Sequence, residues 1–462
     1  MTKDQEPVVF FKPVWRAYNA DAQAWVSETL AVIGIPKPTA KQETAMASFL
    51  YTARRCLLAG KSLACPRNNN FWAKYPLVGR TVIKKTADLL VQHELLHNVP
   101  NSGQWVWHED DQGEFSHEKI TTLYQVDKKN EASPYYTSSQ FIDVGRPLVQ
   151  ISKPETRGER AFRKANKEAS PKIGIRKAEK QFCKPYHLLK DEVEELNQFY
   201  QKHPLQLPNQ GGIQTFCGSV GRVFHGGRLD AGGRFYSAYT GLDGDYRLQC
   251  QIDGEPIVQI DLNAAQAVLF NSLMGYKIKD TGREGGGWYD LYGEMAAEIY
   301  GAGSDQAEQE RSRIKAVGVE IIGCENPSKA TPSQELQKDH GLCEWDFQIY
   351  RDKILEWVPG LKHLDRDHYN GAGFITYHES QIILKTIQSL HESGVPAFPM
   401  HDCLIVKAKD RDLGEKALRD TANRYILDHC KTYGRPEEIN IMVAYSIEEL
   451  GKNKKLEKGF YK

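Results

Sequence analysis

The 462-residue chain predicts a mixed α/β protein of the α+β kind with more than one domain, and three observations lead to that expectation. Its length suffices for two or three separate hydrophobic cores. Residues 1 to about 125 read as mainly helical, closing in a hairpin. From residue 187 onward, strand-like apolar runs alternate with helical ones. With 60 Lys and Arg against 60 Asp and Glu and 40% hydrophobic residues, composition is ordinary for a globular protein, so any contact with a polyanion must be local. Nine cysteines without a C-x-x-C pair argue against a zinc ribbon or a disulfide framework and for reduced thiols. The first residues carry no cleavage pattern and no run reaches 18 apolar residues, so the expectation is a cytoplasmic protein that does not span a membrane. A monomer is expected.

Three segments follow from the pattern. In residues 1–150, Val82, Ile83, Leu89, Leu90, Leu95 and Leu96 approach the i, i+3, i+4, i+7 stripe of an amphipathic helix, with Lys84 and Lys85 on its polar side. The stretch "SGQWVWHEDDQGEFSHEKITTLYQV" then alternates around a turn-rich centre, as a hairpin would. Helix followed by ribbon looks like a winged-helix module for nucleic acid, or equally a helical cap whose hairpin touches nothing. Residues 151–186 carry many more Lys and Arg than acids and few large apolar residues, which reads as a solvated linker or as an arm along a phosphate backbone. Residues 187–462 restart with the helical "LLKDEVEELNQFYQKH" and form one continuous α/β region.

Chemistry concentrates in that last segment. In "EPIVQIDLNAAQAVLFNSLMG", Asp261 sits where a strand ends and a helix begins. In "AFPMHDCLIVKAK", His401 and Asp402 occupy the tip of a buried hairpin, where a tight turn would ordinarily use Asn-Gly or Asp-Gly to supply positive φ. If the two strands are neighbours, Asp261 and Asp402 meet on one sheet edge. Facing carboxylates repel unless a divalent cation lies between them, and magnesium, which takes hard oxygen ligands and borrows the rest from phosphates, suits such a pair. Between them, "QAEQERSRIKAVGVEIIG" places Arg311, Ile314, Lys315 and Val319 at helical spacing, so that Arg311 and Lys315 project one turn apart toward a common target. A guanidinium fork and an ammonium point charge suit a triphosphate. Upstream, "HGGRLDAGGRFYSAYTGLDGDYRLQ" offers Arg234 after two glycines and Arg247 among aromatics as nucleic-acid contacts. Each acid alone reads more readily as a helix cap or turn residue, and the aromatics more readily as core.

In order, "GGRFYS", "VQIDLNAAQAVLF", "YDLY", "RSRIK" and "MHDCLIV" resemble the palm and fingers of family A nucleic-acid polymerases, the group of bacterial DNA polymerase I and the single-subunit phage RNA polymerases. More closely, they resemble the compact polymerase-like proteins of phages and mobile elements. The resemblance covers residues 215 to 450 and implies a right-hand palm and fingers with a reduced thumb, confined to 187–230. It implies that Asp261, Leu262 and Asp402 hold two magnesium ions, for which manganese could substitute, and that Arg311 and Lys315 bind a nucleoside triphosphate, Lys315 protonating the pyrophosphate. His401 would lie beside the primer terminus, Gln266 beside the sugar, and Arg234 in the minor groove of a DNA primer-template; in the helix "GFITYHESQIILKTIQSL", Glu379 and Gln381 could face the template. Departures are Gln266 where DNA-specific members carry glutamate, Val319 and Gly323 in place of an aromatic and a Tyr-Gly ending, and Cys403 after the second acid. The expected activity is DNA-directed DNA synthesis; RNA or primer synthesis and template-independent extension stand beside it. From other classes, the rivals are a non-catalytic DNA-binding replication or regulatory protein and a two-metal nuclease.

Overall fold

The computed structural model describes residues 8–66, 75, 77–100, 102, 105–109, 115–119, 121–166, 170–209, 213–278, 290–324, 326–364, 371–434, 444–450 and 455–458. The fold is mixed α/β, with parallel and antiparallel pairing. Contacts divide the chain into two compact units: residues 1–149, 173–221 and 237–254 in the first, and 150–172, 222–236 and 255–462 in the second. The first junction lies between residues 149 and 150 and the next between 172 and 173, and the chain leaves and re-enters each unit. No described helix is long and apolar enough to cross a membrane, and none of the nine cysteines is in a disulfide.

The first unit is built on the helix Ala40–Ala59, whose start is a capping box: Thr39 and Gln42 each accept from the other's backbone N–H, at 2.8 Å for the Thr39 amide and 3.4 Å for that of Gln42. Its apolar face joins a core in which Phe11 stacks on Phe49 and Trp15 on Tyr51, at 4.3 and 3.7 Å between ring centroids. Arg54, buried in the same unit, donates through Nη1 and Nη2 to the carbonyls of Ser139 and Thr137, both at 3.0 Å. The amphipathic stripe near residue 83 forms the helix Arg80–Gln92, and it ends earlier than the stripe because Leu96–Asn98 pairs instead with the strand Thr122–Val126. Trp105–Glu109 and Phe115–Lys119 form the hairpin after it. The basic segment is not plain linker. Arg157–Ala165 is helical, and a second helix already begins at Ile175 and runs to Lys202, kinked where Cys183 takes a φ of +47° two residues before Pro185.

The second unit holds an antiparallel sheet with Ala397–Met400, Cys403–Lys407, Glu255–Leu262, Ala444–Glu449 and Lys455–Lys458 side by side. Ile257, Val258, Ile260, Leu404, Ile405 and Val406 are at most 2% exposed, each burial worth about 1.5–3 kcal/mol. The helix Arg411–Thr432 lies on this sheet at Gly414, where a Cβ would stand 2.8 Å from Ile260 Cδ1 and 3.2 Å from Val406 Cγ2, so that those buried side chains would have to shift to admit it. Gly414→Ala is accordingly expected to destabilise the protein by about 1–3 kcal/mol, read as a lower denaturation midpoint at unchanged m-value. The helix Gly371–Glu392 packs on both Arg411–Thr432 and the strand Gly232–Tyr236.

Candidate active site

Strand register brings the two acids together. Asp261 stands directly opposite Cys403, one residue from Asp402, and the Leu262 N–H donates to the Asp402 carbonyl at 3.4 Å. Inner residues of both strands are buried, while Asp261 and Asp402 are half-buried at the rim of the sheet. Met400 pairs with Cys403, so His401 and Asp402 alone form the turn. His401 takes a φ of +58° there, which corrects the expectation that His-Asp cannot supply a positive φ: the first of two turn positions needs it, and histidine tolerates that region better than most residues. The other acid lies near a similar bend. Ala264, three residues after Asp261, turns at φ +50° into the helix Ala265–Leu273. Left-handed non-glycine residues cost about 1–2 kcal/mol each, and here two of them flank the paired acids.

Asp261, Leu262, Gln266, Asp402, Asp290, Arg311, Lys315 and Val319 line one cavity of about 390 Å³. The helix Asp305–Cys324 supplies the far wall. Arg311, Lys315, Val319 and Ile322 recur on one face, along which Val319 is 52% exposed and Ile322 is buried. Its opposite side is anchored by Arg313, which donates to Glu310 Oε1 at 2.7 Å and to Asp346 Oδ2 at 3.0 Å on the neighbouring helix Glu344–Trp357. Arg311 pairs with Asp290. Lys315 is exposed to the cavity and makes no ion pair among the described residues. Tyr292 sits beneath this pair, its phenol pushed up to about 12 by burial and by the Asp290 charge, against the pull of Arg311. Gly318 makes room for its ring, since a Cβ there would lie 3.1 Å from Tyr292 Cε1.

Arg234 and Glu379 form a second, buried arrangement. Arg234 Nε donates to Glu379 Oε1 at 2.7 Å and Nη2 to Oε2 at 2.9 Å, and Gln266 donates to the same carboxylate. Glu379 has no exposed side-chain surface. Burial pushes its carboxyl above the ordinary glutamate value; Arg234 and Gln266 pull it back, and the nearby Asp402 charge pushes it further up. Beneath lies Arg222, wholly buried, donating to the Gly233 carbonyl at 2.9 Å and to Ser380 Oγ at 3.0 Å, its guanidinium 5.0 Å from the ring centres of both Phe224 and Phe235. Gly233 is required at this point, because a Cβ would meet Arg222 Nη2 and Ser380 Oγ at 2.9 Å.

Of the remaining sequence-predicted residues, His401 lies against Tyr236, ring centroids 5.9 Å apart, and Gln381 is half-buried on the helix Gly371–Glu392. Arg247 belongs to the first unit, where its Nη1 donates to the Leu242 carbonyl at 2.7 Å. Glu379 is the buried partner of Arg234 and is not a template-facing group. Sequence reasoning missed Asp290 as the partner of Arg311 and Arg222 as the support of Arg234. The "YDLY" motif contained the first signal; nothing local marked the second.

No protein-family model matches the chain, and no curated protein matches it. Among solved structures it is weakly similar to the POL domain of Pol1 from M. smegmatis in complex with DNA primer-template and dNTP, at 12% identity and a TM-score of 0.32. The match spans 47% of this chain and 45% of that one, under half of either. A likeness of that size leaves the function to the geometry of the site.

Proposed function

We propose that the chain is a template-directed nucleotidyltransferase that adds nucleotides to a 3′ hydroxyl, with DNA-directed DNA synthesis as its reaction. The observation that carries this reading is the pairing of Asp261 opposite Cys403, which puts two carboxylates at one end of a cavity and Arg311 with Lys315 on its far wall. Anion-binding groups face cation-binding groups across a space that can hold a nucleotide's phosphates. In this reading the strands around Asp261 and Asp402 are the palm, the helix Asp305–Cys324 the fingers, and a short thumb lies within 187–230. The N-terminal segment and the basic stretch 151–186 would contact nucleic acid.

Donor chemistry fits magnesium. The ionisable groups at the sheet end of the cavity are carboxylates, with no cysteine or histidine lining it, and no cluster of three or more His, Cys, Asp or Glu suited to a metal occurs among the described residues. Two carboxylates plus water and substrate phosphate are what magnesium takes, whereas zinc favours nitrogen and sulfur and calcium more oxygens. Asp261, Asp402 and the Leu262 carbonyl would hold it. When bound, the metal favours ionisation of the attacking hydroxyl and offsets charge on the phosphates.

The chain's own groups do the rest. Arg311 grips non-bridging phosphate oxygens through its planar fork, and Lys315, one turn on, places its ammonium at the departing pyrophosphate and can give it a proton. His401, fixed by its turn and by Tyr236, positions the 3′ end. Arg234, held as a fork by Glu379, ties the strand Gly232–Tyr236 to the helix Gly371–Glu392, and its exposed edge would meet the minor groove of the primer-template. Extension of a labelled primer on a template, with deoxy- and ribonucleotides supplied separately in magnesium, tests the reading. Stepwise products that stop when metal is chelated are expected; no incorporation from either nucleotide set, primed or unprimed, would refute it.

A further inference from the structure

Among the described residues, the charged groups lining the cavity are Asp261, Asp290 and Asp402 against Arg311 and Lys315, one negative charge in excess. A free triphosphate entering this space meets net repulsion, and Asp290 already pairs with one of the two cations meant to attract it. Asp290 is also the residue before the helix Leu291–Tyr300, the position where an aspartate ordinarily accepts from the first helical N–H groups. It makes no such bond. Its carboxylate turns instead to Arg311, lying over Gly293, where a Cβ would come within 2.7 Å of Oδ2 and 2.9 Å of Cγ. Glycine at that place lets the carboxylate lie against the first turn of the helix. Asp290 thus has two homes: the guanidinium of Arg311, or the N-terminus of its own helix, whose N–H groups and dipole favour a negative charge.

We propose that Asp290 is a charge lock on the phosphate side of the cavity, withholding Arg311 from free triphosphate and releasing it, by turning back to cap Leu291–Tyr300, when a nucleotide arrives with its divalent cations. This rests on the nucleotidyltransferase reading and adds to it the form of the nucleotide that enters, the cation complex and not the bare anion. Metal-free nucleotide, which could occupy the site without reacting, is excluded.

The test is equilibrium binding of a non-hydrolysable nucleoside triphosphate to the full chain, with EDTA or with magnesium, for the wild type, Asp290→Asn and Asp290→Ser. Serine keeps the ability to cap the helix while losing the charge, so it guards against a variant that merely fails to fold. In EDTA both variants are expected to bind on the order of tenfold tighter than the wild type, and magnesium should narrow that gap. Wild-type affinity, or weaker, for both variants in EDTA beside normal binding in magnesium would overturn the lock alone. Absence of triphosphate binding to any of the three even with magnesium would remove the nucleotide site and the lock with it.

Discussion

Asp402→Asn is expected to lower single-turnover nucleotide incorporation by about 10³-fold while leaving the protein folded and about as heat-stable as the wild type. The carboxylate stands at the rim of the sheet, one residue from the partner of Asp261, and its charge pushes the buried Glu379 carboxyl upward. Replacing it by the isosteric amide removes an oxygen ligand of charge −1, and with it both the repulsion of Glu379 and the attraction for Arg234, so activity should fall while stability changes little. Asp261→Asn should behave alike in activity. The double variant should be little worse than either single one, because groups that act as a unit fail together. Incorporation at the wild-type rate by either variant would contradict the assignment.

Arg234→Ala should have the largest effect on stability, a loss of about 3–5 kcal/mol near neutral pH, because it leaves a fully buried carboxylate without its counter-ion. The effect depends on pH in a direction the site dictates. Glu379 already holds its proton more tightly in the folded chain than an ordinary glutamate does, so its ionisation costs stability as pH rises from the ordinary glutamate value through the raised one. Without Arg234 that folded value climbs further, and the window over which stability is lost widens upward. The deficit of Arg234→Ala should therefore shrink toward pH 5, where the carboxyl can be protonated, and be restored in part by adding Glu379→Gln. Chemical denaturation at pH 5 and pH 8 reads this directly. A deficit independent of pH, or one growing on acidification, would show that the pair is not what holds these elements together.

Much of the site was legible because its signals are local. An apolar run ending in an acid, followed by small helix-compatible residues, marks Asp261, and a four-residue spacing marks Arg311 and Lys315 on one face. What escaped was non-local or misread. Arg234 and Glu379 are 145 residues apart, and no window of sequence reports that a guanidinium and a carboxylate will meet across a strand and a helix. The charge of the arm around residue 160 suits a solvated linker or a phosphate-contacting arm, yet the segment carries its own helix start: Thr156 and Glu159 exchange capping bonds, the Thr156 amide donating to Glu159 Oε2 at 2.7 Å and the Glu159 amide to Thr156 Oγ1 at 3.2 Å. Lys, Arg and Glu are good helix formers, so charge alone does not argue for an unstructured arm. His401 was misjudged for a different reason. Turn preferences describe unstrained hairpins, whereas this turn sits beside an acid and against Tyr236, and the packed strands on either side impose a φ that histidine alone would seldom choose.

Whether the two aspartates share bound cations is measured most directly by counting manganese, magnesium's paramagnetic substitute, on the protein in the presence of a non-hydrolysable nucleoside triphosphate. Two ions per chain in the wild type, with at least one lost or weakened about 100-fold in both Asp261→Asn and Asp402→Asn, is the expected result. Wild-type stoichiometry and affinity retained in both variants would contradict it.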